Sequence, residues 1–215
     1  MAVIGGTDTE NSRLRILDAA ADAFMSQGFG ATTIDDIAES VGATKGLIYY
    51  HFRSKFDIFL AVYEDGMHQV NNQVSPLALT AGSGHARLVS MSIEHLVNLM
   101  SNVAYHHVVH QGVREQNSSA LKPRQREKLL ALNGMRRDYE EMFLRVMQEG
   151  IDDGSIRPVT PSLATRTLLS SLNAVDQWFR RKEGQTEDEL RELATEITDI
   201  LLTGLTGLTG LTATR

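Results

Sequence analysis

Between Thr33 and Lys55 the chain reads TIDDIAESVGATKGLIYYHFRSK, and its hydroxylated, basic and aromatic side chains suit one task, gripping a nucleic-acid backbone and reading a groove. Thr44, Lys45, Tyr49, Tyr50 and His51 all carry donors for phosphate or base-edge acceptors. Two short helices would have to hold them. Thr33 is a helix N-cap residue, with Asp35 and Asp36 in the first turn, where the positive end of the helix dipole favours carboxylates. Ile34, Ile37, Ala38 and Val41 recur at i, i+3, i+4 and i+7, one apolar stripe of a helix. Gly42 supplies the positive-φ residue that ends it, and Thr44 caps the next helix. Ala38, four residues before Gly42, keeps a small side chain where the two helices cross. On the second helix Leu47, Ile48 and Phe52 are expected in the core, with Thr44, Lys45, Tyr49, Tyr50 and His51 on the exposed side. Such a helix fits a DNA major groove, about 12 Å wide.

Charge supports this reading only locally. The chain of 215 residues is net −6, so it is not a general nucleic-acid coater. Up to Gly42 the acids Asp8, Glu10, Asp18, Asp22, Asp35, Asp36 and Glu39 outnumber Arg13 and Arg15, whereas from Ala43 to Lys55 there are Lys45, His51, Arg53 and Lys55 and no acid. Positive charge confined to one segment predicts few phosphate contacts and weak, salt-sensitive non-specific binding.

Residues 12–60 resemble the N-terminal DNA-binding domain of the TetR family of transcriptional regulators. The resemblance is carried by an initial amphipathic helix, a Gly-x-x-x-Thr-Thr bridge (Gly28, Thr32, Thr33), the two helices above, and the Tyr-x-His-Phe-x-x-Lys ending (Tyr49, His51, Phe52, Lys55). It implies an all-α fold in which a three-helix helix-turn-helix domain precedes a helical ligand-binding and dimerisation domain. It also implies that the DNA-binding set is Thr32, Thr33, Thr44, Lys45, Gly46, Tyr49, Tyr50, His51 and Lys55. In that set Thr44 and Lys45 would reach the groove, Tyr50 and His51 would hydrogen-bond phosphates, and Lys55 would meet a phosphate near a helix N-terminus. Capping alone accounts for Thr33, and Tyr49 could equally pack on Phe52. Leu47 stands where many members of the family have a small or hydroxylated residue, so readout there is expected to be apolar or absent.

Along the chain, residues 1–11 lack periodicity and are expected to be loose. A helix-turn-helix domain is expected over 12–54, a ligand-binding and dimerisation domain over 55–205, and a flexible tail over 206–215. The first helix runs from about Ser12 to Gln27 and stops at Gly28; Ser54 caps a long helix from Lys55 to Val74; Ser75 to Gly84 is a breaker-rich connection. Helices then follow over His85 to Asn102, Tyr105 to Asn117, Pro123 to Asp152, Pro161 to Arg181 and Glu187 to Leu205, and no strand of any length is legible. The Leu-Thr-Gly repeat from Leu202 to Gly210 makes a poor helix and reads as a fraying end.

In the C-terminal half His106 and His110 lie one turn apart, which invites a metal reading with His107 nearby and Glu94 or Glu115 completing a site; the simpler reading places the histidines at an interface or pocket wall. Trp178, the sole tryptophan, is expected as a core or dimer anchor. With Arg180 and Arg181 its segment also resembles TetR-family regulators that sense acyl-coenzyme A thioesters. That resemblance implies an apolar cavity edged by arginines and an effector set of His106, His110, Arg114, Arg136, Arg137, Trp178 and Arg180. Leu163, Leu168, Leu169, Leu172 and Val175 with Leu190, Leu193, Ala194, Ile197, Ile200 and Leu201 give two leucine-rich helices suited to a four-helix homodimer interface. Recognition helices in such a dimer would stand roughly 34 to 36 Å apart and demand a near-palindromic operator.

No cysteine is present, which removes disulfides and thiolate metal sites. There is no apolar leader and no run of 18 apolar residues, so the expected compartment is the cytoplasm. Neither a metal nor an organic cofactor is expected. The sequence points to a dimeric repressor whose partners are operator DNA and a small hydrophobic effector such as an acyl-coenzyme A, with no membrane partner. The alternative is an all-helical metal-binding protein or enzyme built on His106, His107 and His110. It lacks a Gly-x-Ser-x-Gly elbow, a phosphate loop and a His-Glu-x-x-His motif.

Overall fold

The computed structural model describes residues 5–114 and 121–204, with side chains over 9–112 and 121–204. The helices are α1 (Gly5–Gln27), α2 (Ile34–Ser40), α3 (Lys45–His51), α4 (Lys55–Val74), α5 (Gly84–Ser101), α6 (Val103–Arg114), α7 (Pro123–Asp152), α8 (Pro161–Asn173), α9 (Val175–Trp178) and α10 (Glu187–Thr203); a 3₁₀ turn over Ser75–Leu79 follows α4. No strand occurs among the described residues, and none of their helices is long and apolar enough to cross a membrane. The expectations for residues 1–4, Glu115, Asn117, the side chain of Arg114 and the Leu-Thr-Gly tail beyond Gly204 lie outside the described residues.

Two expectations need correction. Residues 5–11 are helical rather than loose: α1 begins at Gly5, and Glu10 pairs with Arg13 one turn on at 3.5 Å. The helix expected over Pro161 to Arg181 is interrupted: α8 closes at Ala174, where the amide donates to both Leu172 and Ser170 carbonyls, and the chain is extended again at Phe179. The tail's first glycine, Gly204, ends α10 with φ of 83° and its amide on the Ile200 carbonyl.

The chain forms two compact units interleaved in sequence, Met1–His68 with Asn102–Arg136, and Gln69–Ser101 with Arg137–Arg215. In the first, Ile16, Leu17, Ala20, Ala21 and Phe24 of α1 are buried, and Phe24, Phe29, Phe56 and Phe59 form an aromatic cluster with ring centroids 5.2 to 6.0 Å apart. Long-range polar contacts brace this unit. Tyr105 Oη on α6 donates to Asp18 on α1 at 2.7 Å, the buried Tyr63 Oη donates to Asn133 at 2.8 Å, and Gln125 on α7 reaches Ser54 and Asp57 at 3.2 and 3.1 Å. Burial, then the bond to Asp18, raises the Tyr105 pKa far above the ordinary phenol value, so the hydroxyl remains a donor. Gly112 lets α6 pass against Tyr63: a Cβ there would lie 2.6 Å from the ring.

In the second unit α5 packs on α8, α9 and α10 around Leu88, Met91, Leu96, Leu168, Leu172, Leu190 and Ala194. At its centre His95 is buried, with Nδ1 2.9 Å from Tyr139 Oη and Nε2 3.1 Å from Asn173 Oδ1. Burial pushes the Tyr139 pKa well above that of an ordinary tyrosine, so its hydroxyl donates to Nδ1 and His95 presents Nε2–H to Asn173. At the other end Gly84 meets the backbone of Gly150, its amide donates to Asp153 at 2.7 Å, and Arg87 pairs with Glu149 at 2.6 Å.

Candidate nucleic-acid interface

The reading head lies wholly within the first unit. Thr33 and Asp36 form a reciprocal capping box on α2: Thr33 Oγ1 accepts from the Asp36 amide at 3.1 Å and Asp36 accepts from the Thr33 amide at 2.8 Å. These bonds, the backbone amide first, hold the Asp36 carboxyl below its ordinary pKa. At the turn Gly42 takes φ of 64° and the Ala43 amide returns to the Ala38 carbonyl at 2.8 Å, while Thr44 Oγ1 caps α3 through the Leu47 amide. Ile37, Ala38, Ile48 and Phe52 are buried beneath the two helices. Arg15 reaches from α1 to the Val41 carbonyl at 2.8 Å, and Arg13 lies over the Phe52 ring at 5.8 Å.

This scaffold leaves Thr44, Lys45, Gly46, Leu47, Tyr49 and Tyr50 exposed together on α3, with Tyr50 at 73% and Tyr49 at 49%. Leu47 was expected in the core and is instead 38% exposed. Ile48, the next residue around the helix, takes the inward position, and Leu47 joins the reading face. His51 is half-buried, edge-on to Tyr50 at 5.0 Å between centroids, and its enclosed Nε2 makes no hydrogen bond. Gly46 has no internal reason to be glycine: a Cβ would meet only Thr44 Oγ1, at 3.7 Å, and its backbone is helical.

Two members of the expected DNA set are otherwise occupied. Thr32 is fully buried, and its hydroxyl donates to the Ala23 and Gly28 carbonyls at 3.1 and 2.9 Å, so it fastens the α1–α2 bridge instead of facing solvent. Lys55 directs Nζ at the carbonyls of Phe29, Gly30 and Thr32 at 2.6, 3.2 and 2.5 Å, with the Phe29 ring 4.6 Å away. An ammonium has three N–H donors, so this staple uses all of them, and no donor is left for a phosphate. Lys45 is exposed but paired with Asp35 Oδ2 on α2 at 2.8 Å, a partner that sequence spacing gave no reason to single out.

The expected effector residues divide between the units. His106, buried, and His110, half-buried, stand on α6 with ring centroids 6.4 Å apart, and Arg136 belongs to the same unit; Arg137, Trp178 and Arg180 belong to the other. Trp178 is 57% exposed, and Phe179 takes the buried position in its stead, which corrects the expectation of a core anchor. Arg180 turns back onto the Phe179 carbonyl at 2.7 Å. No group of three or more His, Asp or Glu able to hold a metal is found among the described residues, and Glu115 is outside them. Sequence reasoning also passed over the His95–Tyr139–Asn173 network, whose members are 44 and 78 residues apart and share no local pattern. Near it in composition, the buried hydroxyls of Ser92, Thr165 and Thr198 in the same unit make no hydrogen bond.

Comparison with known proteins agrees with this geometry. Residues 16–62 match the family model for bacterial regulatory proteins of the tetR family, and residues 81–205 match that for the tetracyclin repressor-like C-terminal domain. The HTH-type transcriptional repressor KstR2 of Rhodococcus jostii is 28% identical over 89% of this chain and 90% of its own length. The crystal structure of PfmR from Thermus thermophilus superposes with a TM-score of 0.73 at 28% identity, covering 89% of this chain and 99% of that one. AibR, crystallised with isovaleryl coenzyme A and operator DNA, matches in fold with a TM-score of 0.70 at 19% identity, over 89% of this chain and 98% of that one. The second family model alone spans more than half of the chain, and an enzymatic reading is thereby set aside: this chain belongs to the tetR family of bacterial regulatory proteins and is a DNA-binding transcriptional regulator.

Proposed function

We propose that the protein is a cytoplasmic repressor that binds a near-palindromic operator as a homodimer and leaves it when a small hydrophobic effector, an acyl-coenzyme A thioester, binds the C-terminal domain. The observation that carries the DNA-reading half is the exposed set Thr44, Lys45, Gly46, Leu47, Tyr49 and Tyr50 at the start and along one side of α3, a helix capped by Thr44. Tyr50, at 73% exposure and free of any packing duty beyond His51, is the first candidate for a phosphate contact, and Lys45 for a base edge.

Dimer formation draws support from α8 and α10. Leu163 is 62% and Ile200 42% exposed, and an open groove lined by Pro158, Leu163, Leu168, Leu201 and Leu202 runs beside them. Contiguous apolar surface of this kind calls for a partner face. The thioester reading is supported by AibR, a protein of similar fold crystallised with isovaleryl coenzyme A and operator DNA, and by the resemblance noted for the Trp178 to Arg181 segment. Effector and operator are coupled only if the effector has different affinities for the DNA-competent and DNA-free conformations. The helix α4 contributes residues to both compact units and is the natural carrier of that difference.

The test begins with selection of bound duplexes from a random DNA library by the purified protein. The expected product is an inverted repeat, released in a fluorescence anisotropy titration by isovaleryl coenzyme A or a longer thioester. A selected operator with no release by any thioester removes the effector assignment and leaves the repressor; no enrichment of any sequence removes both.

A further inference from the structure

Asp35 suits the positive end of α2, but that placement asks for no partner, and its contact with Lys45 on α3 has no further structural duty. The two side chains are 51% and 65% exposed, and exposed ion pairs contribute little to stability. Neither helix needs the pair for capping, since Thr33 and Asp36 cap α2 and Thr44 caps α3. For a surface that must meet phosphates, a carboxylate beside the recognition helix is adverse. It also cancels the charge of Lys45 in a segment where Lys55 is already spent on three carbonyls.

We infer that Asp35 is a specificity-positioning residue: it holds Lys45 as a directed donor to a base edge in the major groove and withholds it from phosphates. The inference rests on the DNA-reading proposal above. One N–H of the ammonium is on Asp35 at 2.8 Å, which leaves two for a pair of acceptors such as guanine O6 and N7. The long, flexible lysine stem would otherwise let the charge settle on any phosphate within reach, adding affinity without sequence information. Pairing with Asp35 also raises the Lys45 pKa, so the donor stays protonated.

The experiment uses the full-length protein, the duplex selected by the wild type and a scrambled duplex of the same length, with binding measured over a series of salt concentrations. Asp35→Asn keeps the shape at an exposed site and leaves the capping box intact, which a circular dichroism melt will verify. The variant is expected to bind scrambled DNA about tenfold more tightly. Its salt slope should steepen by about 0.9 per protomer, as one more phosphate is neutralised, and its preference for the operator should fall about tenfold. In a Lys45→Met background the same substitution should leave the operator preference unchanged. If Asp35→Asn shifts both duplexes by the same factor with an unaltered slope, Asp35 is only a distant charge and the inference fails. A wild type that does not distinguish the two duplexes overturns the DNA-reading proposal together with this one, and that result is visible before any variant is made.

Discussion

The reading head and the C-terminal unit are both helical, yet they are held together by contacts of different range. In the head the helix caps and the turn are local, since Thr33 with Asp36, Thr44 with Leu47, and Ala43 with Ala38 lie within five residues of each other, and longer ties such as Arg15 to Val41 and Lys55 to Phe29 only fasten them to the rest. In the C-terminal unit the defining contacts join residues far apart in the chain, His95 to Tyr139 and Asn173, Gly84 to Asp153, and Arg191 to Glu94 at 2.5 Å across 97 residues. A surface built from short-range caps can be assembled on many cores, so its function stays readable. A ligand chamber is defined by whichever distant side chains happen to converge. The head therefore reveals what it binds, and the C-terminal unit chiefly how it is packed.

Substitutions should separate the two regions. The largest loss is expected from Gly84→Ala, whose Cβ would collide with the Gly150 backbone and stand 2.9 Å from the Val146 carbonyl. Overpacking against backbone costs on the order of 3 kcal/mol, and thermal melting should show it for the C-terminal unit. Lys55→Met comes next. It strands the carbonyls of Phe29, Gly30 and Thr32, for a loss of about 2 kcal/mol in chemical denaturation. If Lys55 is a staple and not a phosphate ligand, the salt slope of operator binding will stay at the wild-type value in the variant. A slope reduced by about one per protomer would restore its DNA role.

Smaller effects sharpen the contrast further. Thr33→Ala removes half of the capping box and should cost about 1 kcal/mol of stability. Gly46→Ala should act in opposite directions on folding and binding. It raises stability by roughly 0.5 to 1 kcal/mol through helix propensity, since only an ordinary contact awaits the methyl group, while it weakens operator binding if DNA approaches the bare backbone there. Equal operator affinity would show that no such approach occurs. The smallest signal is a pH effect. Asp36 and Asp153 have pKa values below the ordinary carboxylate value, Asp36 through the Thr33 amide and Asp153 chiefly through Ser155. Their contributions are therefore fully present above the unfolded-state pKa and are lost as pH falls through the folded-state values. Melting temperature should drop in that acid range, and less so in an Asp36→Asn, Asp153→Asn double variant.

Legibility followed the range of the contacts. Helix ends were readable where the punctuation was local: Gly28 and Gly42 at positive φ, and Pro123 and Pro161 opening α7 and α8. The start of α1 was missed because its first residues, Gly5 to Glu10, carry no apolar stripe. The break at Ala174 was missed because no glycine or proline marks it. Within the DNA set, residue type was a fair guide to helix face but not to occupation. Thr32 and Lys55 look like ligands of phosphate in the sequence and are consumed by carbonyls that only the fold brings near. Among the candidate effector residues, Trp178 is exposed rather than a core anchor, and its neighbour Phe179 is buried where the chain leaves the one-turn helix α9.

The most direct measurement is an anisotropy titration of the wild-type protein on the selected operator, and on the same duplex with one half-site scrambled, with stoichiometry from sedimentation. Two protomers on the intact operator, and at least a hundredfold weaker binding to the half-site, are expected when two linked α3 helices engage together. Equal affinity for both duplexes, or one protomer per operator, would contradict a dimer that reads DNA through paired recognition helices.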